Sequence, residues 1–270
     1  MIPYLHLGPI TLPTFGLMVA TALLVSSYIL QVDFRRRDIS ADAFLIIGIA
    51  GLAGIVGARL YHVLESPSEF FADPWPQLIS RFGFAWFGGF LGGFAALLIL
   101  SWREKIPTLT FLDACSPAAC VGYAIGRIGC LLSGDGDYGI PTNRAWGMSF
   151  PNGVVPTTET CVQQGWPADC RVHPTPIYEF FIWILIAYIL WKLGATVISH
   201  KKPAGLVFCA YLVLTGVTRF LVEIIRLNPR SFLGMSNAQA ASVLSVVLGI
   251  IMYLLVIRKG AVIAQRPARR

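Results

Sequence analysis

Arg219, Glu223 and Arg226 succeed one another at intervals of four and three in an otherwise apolar stretch, the spacing that sets side chains on one face of a helix. Three further groupings share that character. Arg59, His62 and Glu65 stand three apart, Gly126-Arg127-Ile128-Gly129-Cys130 sets a guanidinium among small residues, and His173-Pro174-Thr175-Pro176-Ile177-Tyr178-Glu179 opens another apolar run. Charge among hydrophobic residues is costly unless it meets a partner or a water-filled cavity. Arginine in particular holds phosphate and carboxylate through a planar fork of donors. The chemistry open to these groupings is recognition of an anion, with Arg127 and Arg219 as phosphate partners, and the abundant anion at a membrane edge is a phospholipid headgroup. The plainer reading makes the same charges interfacial anchors and mutual ion pairs, because long basic side chains snorkel from span ends. The convergence of four groupings weighs against it.

The elements that must carry these residues are unusually apolar. Of 270 residues, 56% are hydrophobic and only 13% charged, against roughly 25% charged in ordinary globular chains. Uncharged runs recur at intervals, several of them near the 20 or so residues that cross a bilayer. They predict seven spans, at 12–32, 43–64, 82–101, 109–132, 175–193, 204–225 and 238–257. This composition excludes a soluble enzyme, a disordered scaffold and a disulfide-rich miniprotein.

A formal charge of +7 raises the question of nucleic acid, but the placement of the basic residues answers it. Arg35, Arg36 and Arg37 follow the first span, Arg103 and Lys105 the third, Lys192, Lys201 and Lys202 the fifth, and Arg258, Lys259, Arg266, Arg269 and Arg270 the last. These are alternate loops, so the positive-inside rule puts the N-terminus outside and the C-terminus in the cytoplasm. No nucleic-acid partner is expected, and Met1-Ile2-Pro3-Tyr4 lacks the basic start of a cleaved signal peptide. All four ionisable groupings then fall at outer span ends. The expected architecture is an all-α polytopic membrane protein, one membrane domain over 1–270, with an extracytoplasmic head at 133–174 rich in proline and glycine.

Cys161 and Cys170 lie in that head, where an oxidising compartment favours a bridge. Cys115, Cys120 and Cys209 sit in apolar helical stretches and read as small packing residues. Gly134-Asp135-Gly136-Asp137-Tyr138-Gly139 has the spacing of a dinucleotide fingerprint, but no βαβ unit surrounds it. Its aspartates also begin like a calcium loop, yet the twelfth position is Trp146 in place of glutamate. No metal and no cofactor are expected. The glycines at 48, 51, 54 and 57, with Gly89 and Gly93, are read as sites of close helix approach.

Taken in order along the chain, these residues resemble the prolipoprotein diacylglyceryl transferases, seven-span inner-membrane enzymes of bacteria. The resemblance is carried by Phe15-Gly16-Leu17-Met18, Gly57-Ala58-Arg59-Leu60, Gly88-Gly89, Gly126-Arg127-Ile128-Gly129 with Gly134-Asp135, His173-Pro174 with Tyr178-Glu179, and Arg219-Phe220 with Glu223 and Arg226. It implies transfer of diacylglyceryl from phosphatidylglycerol to the lipobox cysteine of a secreted preprolipoprotein, in a bacterial inner membrane. By the same resemblance Arg127 holds the lipid phosphate, Arg219 is a second essential cation and Glu223 orients it, while Arg59, Arg226, His173, Tyr178 and Glu179 complete the substrate site.

Several positions depart from the family pattern. Phe15 stands where tyrosine is usual, Phe87 where histidine is, Cys130 where asparagine is, Asp135 where glutamate is, and Thr215 where tyrosine is, with one residue inserted in Gly134–Gly139. If the displaced histidine is the base that deprotonates the thiol, His62 is the candidate replacement, with Asp135 and Asp137 able to share or take over that duty; His62 paired with Glu65 as an interfacial tip is the alternative. Cys130 beside Arg127 is a conceivable nucleophile, though more often such a cysteine only packs. The other functions open at this point are a paralogue using the same lipid with another acceptor, and a non-catalytic phospholipid-binding or transport protein.

Overall fold

In a computed structural model of the protein, residues 2–65, 67, 70, 74, 75 and 85–264 are described. Among the described residues, a short antiparallel hairpin, β1 (Tyr4–Leu7) and β2 (Ile10–Pro13), precedes eight helices: α1 (Thr14–Arg36), α2 (Ala43–Glu65), α3 (Trp86–Arg103), α4 (Thr108–Ser133), α5 (Thr157–Gln163), α6 (Thr175–Ser199), α7 (Leu206–Glu223) and α8 (Asn237–Ala264). Six of them are long and apolar enough to cross a membrane, and α3 is a shorter apolar helix of 18 residues. The predicted third span begins at 82–84, which lie outside the described residues. The helical, polytopic expectation holds; the hairpin was not anticipated, because its strands are only four residues long. Along the helices, Leu24, Tyr28, Leu52, Phe181, Leu185, Tyr188 and Leu254 are exposed, as lipid-facing residues should be.

The chain divides into two compact units, Met1–Ser26 with Leu112–Arg270, and Ser27–Phe111. Within the second, α2 and α3 meet backbone to backbone. A Cβ at Gly92 would fall 2.5 Å from the Ala53 carbonyl oxygen, and one at Gly57 would overlap the Gly88 carbonyl. The close approach expected of these glycines therefore falls on Gly54 and Gly57 against Gly88, Gly89, Gly92 and Gly93, whereas Gly48 has open space beside it.

Within the larger unit, α4, α6 and α7 share a core of Cys120, Ala124, Trp183, Ile186, Ala187, Leu190 and Val207. Two caps fix the helices that matter for the site. Asp113 of α4, fully buried, accepts hydrogen bonds at 2.8 Å from the backbone N–H groups of Gly205 and Phe208 at the start of α7, where a carboxylate also complements the helix dipole. Ser236 and Gln239 form a capping box on α8, with Gln239 N–H donating to Ser236 Oγ at 3.2 Å and Ser236 N–H to Gln239 Oε1 at 3.1 Å.

The segment between α4 and α6 has its own small core of Tyr138, Phe150, Cys161, Cys170 and Val172. The expected Cys161–Cys170 bridge is formed, with Cα atoms 5.9 Å apart. Closing so short a loop is worth about 2–3 kcal/mol. Cys161→Ser is therefore expected to lower the melting temperature measured in detergent, and an unchanged melt would contradict a structural role for the bridge.

Candidate functional site

Glu179, near the N-terminal end of α6, is the centre of the site. Its carboxylate is fully buried, yet one oxygen accepts from Tyr123 Oη at 2.8 Å and from Arg219 Nη1 at 3.0 Å, while the other lies 3.3 Å from Arg127 Nε and 3.5 Å from Arg226 Nη1. Three arginines from different segments thus converge on one anion. Such burial of charge persists only with full pairing.

Each arginine is aimed by a second partner. Arg219 Nη2 reaches Glu223 Oε2, one turn on, at 3.0 Å, and Arg226 Nε lies 3.8 Å from the same oxygen. Arg219 and Glu223 share a face of α7 as expected, whereas Arg226 lies beyond the end of that helix, bridged to Gly139, and reaches the Glu223 carboxylate from there. Glu223, 1% exposed, is itself fixed by Asn228 Nδ2 at 2.5 Å and Ser236 Oγ at 2.9 Å. Arg127 lies 4.7 Å over the Tyr123 ring, a cation–π contact, and that ring stacks on Trp183 with centroids 3.8 Å apart.

Asp137 closes the cluster by bridging Arg127 and Arg226 through its two oxygens. Burial pushes its carboxyl up, but the two guanidiniums outweigh burial and hold it below the usual carboxylate range. Its loop is pinned from two directions. Thr175 Oγ1 donates to the Asp137 carbonyl at 2.6 Å, Gly139 N–H donates to His173 O at 2.9 Å, and Ile140 N–H to Ile225 O at 2.8 Å. A Cβ at Gly139 would lie 2.6 Å from the Ile225 carbonyl, so the approach of this loop to the end of α7 requires glycine.

Asp135 lies beside this network, accepting from Asp137 N–H at 3.2 Å. Burial raises its carboxyl above the usual range. Cys130 Sγ is 3.6 Å from Arg127 Nη1. Ligand atoms of Cys130, Asp135 and Asp137 come within 4.8 Å of one another, but Arg127 contacts both Cys130 and Asp137. A guanidinium therefore already serves as the cation for that trio.

Of the other expected site residues, His173 and Tyr178 pair with each other, His173 Nδ1 lying 3.0 Å from Tyr178 Oη. Arg59, buried, and His62, half-buried, belong to α2 in the other compact unit. Phe15 and Met18 lie against the Gly129 position of α4, and the Thr215 hydroxyl bonds its own helix at Tyr211 O, 2.6 Å away. Tyr123, Asn228 and Ser236 escaped notice in the sequence. Only Tyr123 left a signal, standing one helical turn before Arg127.

The family profile of prolipoprotein diacylglyceryl transferase matches residues 3–255. Among curated relatives, the phosphatidylglycerol–prolipoprotein diacylglyceryl transferase of Clostridium tetani is 28% identical over 243 residues, covering 88% of this chain and 91% of its own. That of Leptospira interrogans serovar copenhageni is 28% identical over 260 residues, covering 84% of this chain and 77% of its own. That of Bifidobacterium longum strain NCC 2705 is 29% identical over 266 residues, covering 94% and 84%. With a matched profile spanning nearly all of its length, including every residue of the ion-paired cluster, the chain belongs to the prolipoprotein diacylglyceryl transferase family.

Proposed function

We propose that the protein transfers the diacylglyceryl group of phosphatidylglycerol to the thiol of a lipobox cysteine in a secreted preprolipoprotein, releasing glycerol phosphate. The observation that carries this reading is the convergence of Arg127, Arg219 and Arg226 on Glu179 in a chain of this family. In the reaction the cysteine sulfur attacks a glyceryl carbon, the C–S bond forms as the carbon–oxygen bond to phosphate breaks, and the electron pair leaves with the phosphate. The arginine forks bind that phosphate and stabilise the charge it gains. No cofactor enters the balance.

Arg127 is the principal phosphate ligand with Arg226 beside it in the substrate site, Arg219 the second cation, Glu223 its orienting partner, and Glu179 the anion that gathers the three arginines. Arg59, His173 and Tyr178 contact the rest of the lipid headgroup. A cysteine thiol with pKa about 8.5 is only a few per cent ionised at neutral pH, so a base is needed. That role falls to His62 or to Asp135, whose raised carboxyl suits proton uptake. The protein sits in a bacterial inner membrane as a single membrane domain, with its N-terminus and the 133–174 head outside and its C-terminus in the cytoplasm.

The test is purified protein in detergent with phosphatidylglycerol and a lipobox peptide, read by mass spectrometry for the diacylglyceryl thioether and for glycerol phosphate. Both products support the reading. Their absence beside an active family member, with lipid binding retained, overturns it. His62→Ala is expected to slow thioether formation by about two orders of magnitude; an unaltered rate removes His62 and leaves Asp135 as the base.

A further inference from the structure

Arg127, Arg219 and Arg226 face Asp137, Glu179 and Glu223, so the cluster's own charges balance. A phosphodiester entering it brings another negative charge to cations already neutralised. A site of low dielectric does not accept that surplus, and one carboxylate has to yield.

The three carboxylates differ in freedom. The side chains of Glu179 and Glu223 are 0% and 1% exposed; both are rooted on helices, with Tyr123 bonded to the first and Asn228 and Ser236 to the second. The Asp137 side chain is 32% exposed. Its backbone carbonyl is held by Thr175, so rotation about χ1 alone swings the carboxylate toward solvent. Each of its oxygens takes one arginine, Arg127 or Arg226, the two-point geometry that the unesterified oxygens of a phosphodiester share.

We propose that Asp137 is a placeholder anion: it occupies the phosphate subsite between Arg127 and Arg226 until it is displaced into solvent by the incoming phosphodiester. This rests on reading the arginines as the lipid-phosphate site. The exchange keeps the cluster neutral throughout and holds both guanidiniums in place before substrate arrives. It also excludes uncharged lipids such as diacylglycerol, which offer nothing to replace the carboxylate.

The probe is glycerol phosphate, titrated by calorimetry into the full chain in detergent. Asp137→Asn and Asp137→Ala remove the competing charge and are expected to bind it about tenfold more tightly than the parent protein, or ~1.4 kcal/mol. Glu159→Gln, an exposed carboxylate of the same head, is expected to leave the affinity unchanged. Equal or weaker binding by folded Asp137 variants overturns the proposal. The parent protein supplies a reading that needs no variant. With 13C-labelled aspartate, the infrared difference spectrum on adding glycerol phosphate is expected to show one carboxylate passing from an ion-paired to a hydrated state, and an unshifted spectrum overturns the proposal. Gain of affinity in Asp137→Asn without thioether formation by the parent removes the transferase reading and leaves the placeholder standing. An active parent whose Asp137 variants gain nothing removes the placeholder alone.

Discussion

Arg127→Ala is expected to reduce thioether formation by about three orders of magnitude, equivalent to ~4 kcal/mol of transition-state stabilisation. The side chain is the only one in the cluster that reaches Asp137, Glu179, the Tyr123 ring and the Cys130 sulfur together. Those four contacts hold the guanidinium still, and a preorganised donor need not reorient as charge develops on the leaving phosphate. Arg127→Lys keeps the charge but loses the planar fork and its stacking on Tyr123, so it is expected to recover no more than a small part of the rate. Arg219 is held by Glu179 and Glu223 at 3.0 Å each, and its replacement by alanine is expected to be comparably damaging. The measurement is the single-turnover rate with enzyme in excess over phosphatidylglycerol and peptide saturating, alongside lipid binding. A rate for Arg127→Ala within tenfold of the parent, in a protein that still folds, would remove Arg127 from the chemistry.

The same cluster shows which features a sequence exposes. Charges in apolar helices are conspicuous because so few positions carry them, which is why Arg127, Glu179, Arg219, Glu223 and Arg226 all stood out as candidates. Local geometry was legible in part: i, i+4 spacing placed Arg219 and Glu223 on one helical face, and their ion pair at 3.0 Å bears that out, whereas the helix ends at Glu223 and Arg226 reaches the same carboxylate from the segment beyond it. Pairing across the chain was not. Tyr123 meets Glu179 from 56 residues away and Arg226 meets Asp137 from 89 away, and nothing in the spacing of residues along a chain encodes such partners. Tyr123 was further hidden because a tyrosine in an apolar helix usually reads as packing. The hub role of Glu179 was hidden for a related reason, since one carboxylate near the start of an apolar helix does not reveal how many distant cations meet it. His173 and Tyr178 satisfy each other at 3.0 Å, a pairing that sequence proximity suggested only as shared membership of one site.

Glu179→Gln is expected to lower stability by about 3–5 kcal/mol, the usual cost of removing one partner from a buried ionic cluster. Because the carboxylate is 0% exposed and lies within 3.5 Å of three guanidiniums, no solvent screening softens the loss. The amide keeps the shape and can still accept from Tyr123, so the effect isolates the charge. Its sign separates Glu179 from Asp137. Both substitutions leave a surplus positive charge, but Asp137 gives up a solvent-accessible anion that phosphate replaces, whereas Glu179 gives up the anion that brings the three arginines together. Glycerol phosphate should therefore bind Asp137→Asn more tightly and should raise the melting temperature of Glu179→Gln only partially, since an anion between Arg127 and Arg226 does not reach the interior position that Glu179 fills. Thermal unfolding in detergent with and without glycerol phosphate reads both effects. A Glu179→Gln protein that melts with the parent and transfers at the parental rate would show that the arginines are held together by something other than this carboxylate.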